Sequence, residues 1–131
     1  MRTRVCLAAL ILAASSSVFA APTASAQEKD AVVETARRRF QEGVKFFDAK
    51  KYEEARAAFL QAYALKHHPA VLLNLAQSEI RSGHPFEAAR HFSAYLRESA
   101  TAPGAERTEA EKGLAAARTK LGKILVAVGA G

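Results

Sequence analysis

Apolar residues recur every three or four positions in five stretches of the chain. This spacing places their side chains along one face of a helix, so the sequence predicts five amphipathic helices. The third stripe is the most apolar, which predicts that its helix lies in the middle of the fold. The stripes are Val33, Ala36, Phe40, Val44 and Phe47; Tyr52, Ala55, Phe59, Ala62 and Tyr63; Leu72, Leu73, Leu75, Ala76 and Ile80; Ala88, Ala89, Phe92, Tyr95 and Leu96; and Ala110, Leu114, Ala117 and Leu121.

Turn residues separate the predicted helices. Asp48 to Lys51 is a short polar turn, and the sequence His67 to Pro69 stops the second helix because the residue before proline is pushed out of the helical region. Gly83 suits the left-handed conformation that follows a helix end. We also expect Asp30 to cap the first helix and Gly122 to end the fifth.

The segment from Ala36 to Ala102 reads as one helical hairpin written twice. A period in the low thirties is typical of stacked helix-turn-helix units, each of which buries its apolar stripe against the next. The expected fold is therefore all-α, with repeats over residues 36–68 and 69–102. A shift of 33 residues places Gly43 on Ala76, Ala55 on Ala88, Phe59 on Phe92 and Ala62 on Tyr95.

The composition changes at the end of the chain. Residues 103–122 contain a charged helix, from about Ala105 to Leu121, whose narrow alanine-rich face predicts a cap on the stack. Lys123 to Val128 is rich in β-branched residues and predicts a strand. A lone strand needs something to pair with. Residues 123–131 would thus add to a partner or form the start of a β-domain at which this chain is truncated.

The first 26 residues predict a secretory signal peptide. Arg2 and Arg4 precede an apolar run from Val5 to Ala14, and small residues allow cleavage after Ala26 or Ala20. An uncleaved anchor helix is the alternative, but the run is shorter than the roughly 20 residues that a membrane span needs. We therefore expect a periplasmic or secreted protein with no membrane span after cleavage.

Cleavage would leave a mildly basic chain without cysteine. Cys6 is the only cysteine, so the mature chain could form neither an internal disulfide nor a cysteine-based metal site. Loss of Arg2 and Arg4 takes the formal net charge from +6 to +4. For an exported protein this favours acidic envelope polymers or anionic lipids over nucleic acid. Residues 27–35 would form a polar lead and the start of the first helix.

No motif in the sequence predicts catalysis. It contains no glycine-rich phosphate loop, paired-carboxylate motif or serine-centred elbow. His67 and His68 are adjacent and indicate a polar loop. Glu87, His91 and the upstream His84 could gather around a divalent metal, but we prefer an exposed helical face with an ion pair. We therefore expect a protein that is not an enzyme and that uses no cofactor or metal.

Small and aromatic residues recur in the same order in the two repeats, and in this order they resemble the tetratricopeptide repeat. Pro85 stands where that family usually has an aromatic residue, Tyr95 replaces the last alanine, and Arg39 occupies a bulky apolar position. The leader, two repeats and β-like end also resemble exported bacterial proteins that continue into a PEGA-type β-domain. The matching residues are Gly43, Phe46, Tyr52, Ala55, Phe59 and Ala62, then Leu72, Leu75, Ala76, Gly83, Ala88 and Phe92.

The resemblance implies a right-handed stack in which the first helix of each hairpin lines a concave peptide-binding groove. An apolar floor with arginines at the rim suits a partly hydrophobic peptide that carries an acidic group. The alternative is that the cap helix or a β-domain covers these residues and makes them part of the core. Carried over by position, the groove comprises Arg37, Phe40, Val44, Phe47, Asp48, Ala70, Leu73, Gln77, Ile80 and Arg81.

Three functions follow from this sequence. The first is an exported module that binds a protein or peptide partner in the groove. The second is a structural stalk or spacer that supports a β-domain in a cell-envelope assembly. The third and weakest is attachment of a basic protein to anionic envelope polymers through Arg37 to Arg39, Lys50 and Lys51.

Overall fold

The computed structural model describes residues 24–101 and 104–129, which form five helices and contain no strand. The all-α prediction is confirmed. Most of the predicted signal peptide, residues 1–23, lies outside the described residues. The helices are α1 (Ala24–Asp48), α2 (Tyr52–Leu65), α3 (Pro69–Ser82), α4 (Pro85–Glu98) and α5 (Gly104–Gly129).

The predicted turns between the first four helices are confirmed. The imidazole Nδ1 of His68 caps α3 by accepting a hydrogen bond from the Ala70 N–H at 3.2 Å, and Pro69 occupies the first turn. Gly83 ends α3 with a φ of 89°, the left-handed conformation that glycine adopts without steric cost. Lys50 adopts the same region after α1, with a φ of 59°.

Each helix packs against the next one along the chain, and α3 also contacts both α1 and α5. Within the described residues, by contrast, the backbones of α2 and α4 do not come into contact. Only side chains bridge them, as where the Tyr63 ring lies 6.3 Å from the His91 ring. Successive odd-numbered helices, α1 and α3 and then α3 and α5, therefore lie closer to one another than α2 lies to α4. We call the surface formed by α1, α3 and α5 the odd-helix face.

The helix α3 supplies apolar side chains to two clusters on its opposite sides, as its sequence predicts. Tyr63 packs against both clusters, and the side chain of Glu79 is buried beside them with 1% of its surface exposed. The first cluster contains Ala55, Phe59, Ala62, Val71 and Leu75, and the second contains Leu72, Leu73, Ala76, Ala88, Phe92, Tyr95, Ala110 and Ala117.

Two glycines allow an aromatic ring to press against the backbone of a neighbouring helix. A Cβ added at Gly43 in α1 would lie 2.6 Å from the Cε1 atom of Phe59. A Cβ added at Gly113 in α5 would likewise collide with the ring of Phe92. Because protein interiors are close-packed, both helix crossings depend on a missing side chain.

Both ends of the helical region differ from the prediction. The strand predicted at Lys123–Val128 is wrong, because these residues form the last turns of α5, and Gly122 does not end that helix. Extending an existing helix through β-branched residues costs only a few tenths of a kcal/mol each. A strand would need a partner, and the described residues supply none. At the other end α1 begins at Ala24, before the predicted cleavage after Ala26, so Asp30 lies inside the helix and does not cap it.

Candidate functional site

The apolar residues of the predicted groove divide between the two clusters. Phe40, Val44 and Phe47 pack against the first cluster and remain half-buried. Leu73 is buried in the second cluster and Ile80 packs against it. The Lys120 Nζ of α5 donates a hydrogen bond to the Ile80 carbonyl at 3.1 Å, so α5 reaches this half of the predicted floor. The polar and small members follow the same face, with Arg37, Asp48, Ala70 and Arg81 exposed and Gln77 half-buried.

Arg81 packs against two neighbouring aromatic rings at the end of the stack where α1, α2 and α3 meet. Its guanidinium carbon is 5.4 Å from the ring centre of Phe47 and 5.4 Å from that of Tyr52. The two rings meet edge to face at 5.3 Å, and Nη1 lies 3.5 Å from the Tyr52 hydroxyl oxygen. Among the described residues Arg81 forms no salt bridge. Aromatic contacts therefore hold this cation and leave its charge available to an anion.

The structure thus brings together two of the predicted groove residues and adds one that sequence reasoning missed. Phe47 and Arg81 are in contact, whereas the second rim arginine, Arg37, pairs with Glu34 at 2.8 Å. The sequence predicts Tyr52 as a member of an apolar stripe and of the repeat pattern, but not as a residue of the groove. Its position as the first residue of α2, directly after the turn, is the signal that places it beside the end of α1.

One cavity lies between α4 and α5, away from the predicted groove. It has a volume of about 630 Å³, and Tyr63 of α2 contributes to its wall. Phe86, at its edge, leaves 58% of its surface exposed. We call it the α4–α5 cavity. Its apolar lining includes Phe86, Leu114 and Leu121, and its charged lining includes Arg90, Arg97 and Arg118.

Two smaller cavities lie at the end of the stack where α1, α3 and α5 begin and where α2 and α4 end. One, of about 530 Å³, is formed by the first turns of α1 and the end of α2, with Val32 and Leu65 in its lining. The other, of about 280 Å³, lies beside Pro69 and Tyr95 and is the only one of the three that touches a predicted groove residue, Ala70.

Three of the four histidines pair with a glutamate on another helix. Two of these pairs join α2 to the second hairpin at its two ends, and the third lies inside that hairpin. The residues described contain no group of three or more side chains that could hold a metal ion. The pairs are His84 Nε2 with Glu53 Oε2 at 3.0 Å, His67 Nε2 with Glu98 Oε2 at 2.7 Å, and His91 Nδ1 with Glu79 Oε2 at 2.8 Å.

Two titratable groups have strongly shifted pKa values. Hydrogen bonds from Arg56 and His84 lower the pKa of Glu53 to about 2. Burial, together with the hydrogen bond that its hydroxyl donates to Glu106 at 2.8 Å, raises the pKa of Tyr95 to about 12. Both groups join helices to one another, so their shifts bear on stability.

Comparisons with protein-family models, curated proteins and solved structures find no match. None of the helices described is long and apolar enough to cross a membrane. The case for function therefore rests on the side chains of this chain alone.

Proposed function

We propose that this chain is an exported, non-enzymatic module of the tetratricopeptide type that binds a peptide segment of a partner protein. Two hairpins followed by an extra helix, with α3 in contact with both α1 and α5, support this interpretation. The site proposed is the end of the odd-helix face around Arg81. It is shorter than the groove implied by the sequence, because α5 packs over Leu73 and reaches Ile80.

The observation that carries the proposal is the contact of the Arg81 guanidinium with the rings of both Phe47 and Tyr52. Two rings restrict the guanidinium before any ligand arrives, so little conformational entropy is lost when an anion binds. The N–H groups can donate to a carboxylate in pairs. The half-buried Phe47 supplies apolar surface directly beside that charge. The expected ligand is a peptide with an acidic residue next to an aliphatic or aromatic one.

Selection from a displayed library of random peptides by the folded chain tests this proposal. Peptides selected by the wild-type chain should carry aspartate or glutamate beside an apolar residue. Arg81→Ala should weaken binding of a selected peptide roughly ten- to a hundredfold, since hydrogen bonds to charged groups contribute about 1.5–3 kcal/mol. Arg81→Lys should recover only part of the loss, because an ammonium cannot bind a carboxylate in the same paired geometry.

Arg38→Ala is the matched control, since Arg38 is an exposed arginine of α1 outside this site. It should leave the affinity unchanged. Selected peptides that lack acidic residues, or equal losses in Arg38→Ala and Arg81→Ala, would contradict the proposal. Thermal melts of each variant separate lost binding from lost folding. Attachment to an anionic polymer through general charge would instead weaken steeply with salt in every variant.

A further inference from the structure

Two stripes of residues, one on each helix, face the α4–α5 cavity. On α4 the stripe runs through Phe86, Arg90 and Arg97, and on α5 it runs through Leu114, Arg118 and Leu121. Steps of three, four or seven residues keep each stripe on one face of its helix. The chain supplies an open groove that has apolar and arginine side chains on both walls.

The groove continues beyond the cavity along the bare end of α5. Residues 122–129 are all exposed, and Leu125, the next position of the α5 stripe, leaves 73% of its surface exposed. Ile124, Val126 and Val128 are exposed by 51%, 73% and 77%. A helix that is apolar around its whole circumference normally lies in a packed environment. This end of α5 is therefore surface that an additional element would cover.

The way the helices pack on one another indicates which kind of element would cover the α4–α5 cavity. In the second hairpin α4 packs along α3, and side chains of α2 reach it, among them Tyr63 and Glu53. A helix in the same relation to α5 and α4 would lie over the α4–α5 cavity. Among the described residues no helix occupies that position. The expected occupant is a helix, for which the groove offers anchors at successive turns.

The charges indicate the chemistry of that helix. Arg90, Arg97 and Arg118 form no salt bridge with the described residues, and the only carboxylate in the lining, Glu98, is paired with His67. From Lys112 to the end of the sequence there is no acidic residue. A symmetric contact between two copies would bring these cations together, and like charges across an interface are unfavourable.

We propose that the α4–α5 cavity binds an amphipathic, acidic helix of a partner protein. Its apolar stripe packs on Phe86, Leu114 and Leu121, and its flanking glutamates or aspartates pair with the three arginines. The bare end of α5 extends the contact by two turns. This site is separate from Arg81, so its failure would leave the proposed function around Arg81 untouched.

Binding of a designed helical peptide to the folded full chain tests the proposal. The probe has leucines at positions i, i+4, i+7 and i+11, glutamates on both flanks and a fluorophore for anisotropy. A second peptide replaces each glutamate with lysine. The acidic peptide should bind saturably and at least tenfold more tightly than the lysine peptide. Failure of the folded chain to bind the acidic peptide, or equal binding of both peptides, would overturn the proposal.

Two variants with equal loss of charge locate the site. The variant with Arg90→Gln, Arg97→Gln and Arg118→Gln should weaken binding of the acidic peptide at least tenfold. The variant with Arg38→Gln, Lys45→Gln and Lys51→Gln loses three exposed cations elsewhere and should bind almost as wild type. Equal weakening by the two would mean general attraction by net charge and would refute the site.

Phe86→Ser adds an independent check of the apolar anchor. Because Phe86 is largely exposed, its replacement should leave the melting temperature nearly unchanged while weakening the peptide severalfold. Unchanged affinity would argue against the cavity. Vesicles of anionic lipid serve as the competing ligand. If they bound the chain and displaced the acidic peptide irrespective of the three arginines, a lipid surface would be the occupant and the proposal would fail.

Discussion

Two junctions hold this stack of helices together, and they use different side chains. The junction between the two hairpins is cross-linked by charged and polar side chains. His84 and His67 each pair with a glutamate across it. The Arg81 guanidinium packs on the ring of Phe47. The junction between the second hairpin and α5 depends on a close approach, with Gly113 against the ring of Phe92.

The second junction therefore tolerates less change than the first. A polar cross-link lies at the edge of its interface and can be lost while the apolar cluster stays intact. A missing side chain at a helix crossing has no substitute, because any added atom must displace the ring. The packing of α5, whose buried residues are alanines, is thus more sensitive to a small substitution than the junction between the two hairpins.

The largest effect should come from removing α5. A chain that ends after Thr101 would uncover Phe92 and Tyr95, which are buried in the second cluster, and should lose cooperative unfolding or melt at a much lower temperature. A chain that ends after Leu121 loses residues 122–129, all of which are exposed, and should melt almost as the full chain does. Circular dichroism is the suitable measurement, since the sequence contains no tryptophan. Equal melting of all three chains would show that α5 is not needed.

The next effect tests the glycine at the second junction. Gly113→Ala should destabilise the fold by about 1–3 kcal/mol, because its Cβ collides with the ring of Phe92. Gly122→Ala is the matched control, since a Cβ there meets no atom within 4 Å. In a helix that change should stabilise by roughly 0.5–1 kcal/mol. Destabilisation by Gly122→Ala would mean that α5 is not helical at that point.

A smaller effect concerns the polar contact that supports the second junction. Tyr95→Phe removes the hydrogen bond to Glu106 and should cost about 1 kcal/mol near neutral pH. The raised pKa of about 12 favours the protonated phenol in the folded state. The stabilisation that the protonated Tyr95 hydroxyl gives the fold is therefore present below pH 10 and is lost as the pH rises through about 12. A tyrosinate absorbance titration should show a step near pH 12 that Tyr95→Phe abolishes, and its persistence would contradict this assignment.

The smallest effect should come from the exposed cross-link at the first junction. Hydrogen bonds from Arg56, in the same helix, and from His84, across the junction, lower the pKa of Glu53 to about 2. The stabilisation by the ionised carboxylate is therefore present above about pH 4.5 and is lost as the pH falls through about 2. Glu53→Gln should lower the melting temperature slightly at neutral pH and make it less dependent on pH in that acid range. Glu54→Gln, which changes a neighbouring exposed carboxyl, is the control. Parallel acid profiles for wild type and Glu53→Gln would refute the contribution.

The helices between residues 52 and 98 could be predicted because every signal there agrees. The apolar stripes, Pro69, Pro85 and Gly83 specify the same boundaries that the structure shows. At the end of α5 the signals conflict, since Gly122 and the β-branched residues oppose helix formation while the helix before them favours its continuation. Local composition does not decide such a conflict.

The sequence predicts candidate site residues only within the two repeats, residues 36–102. Phe47 and Arg81 were placed on one surface by their positions in successive repeats, and they are in contact. The α4–α5 cavity has no such signal, because α5 has no counterpart in either repeat. The pairs His84 with Glu53 and His67 with Glu98 join residues 31 positions apart, which neither helix pattern nor local spacing reveals.

The order in which the helices touch has a consequence for how the chain acquires its structure. Every helix contacts only helices one or two places away, so the average contact closes a short loop. Chains with such local contacts fold quickly, on the order of microseconds to milliseconds. The first hairpin and α3 complete one apolar cluster before α4 is required. Folding can therefore proceed from the amino-terminal side, with α5 docking last.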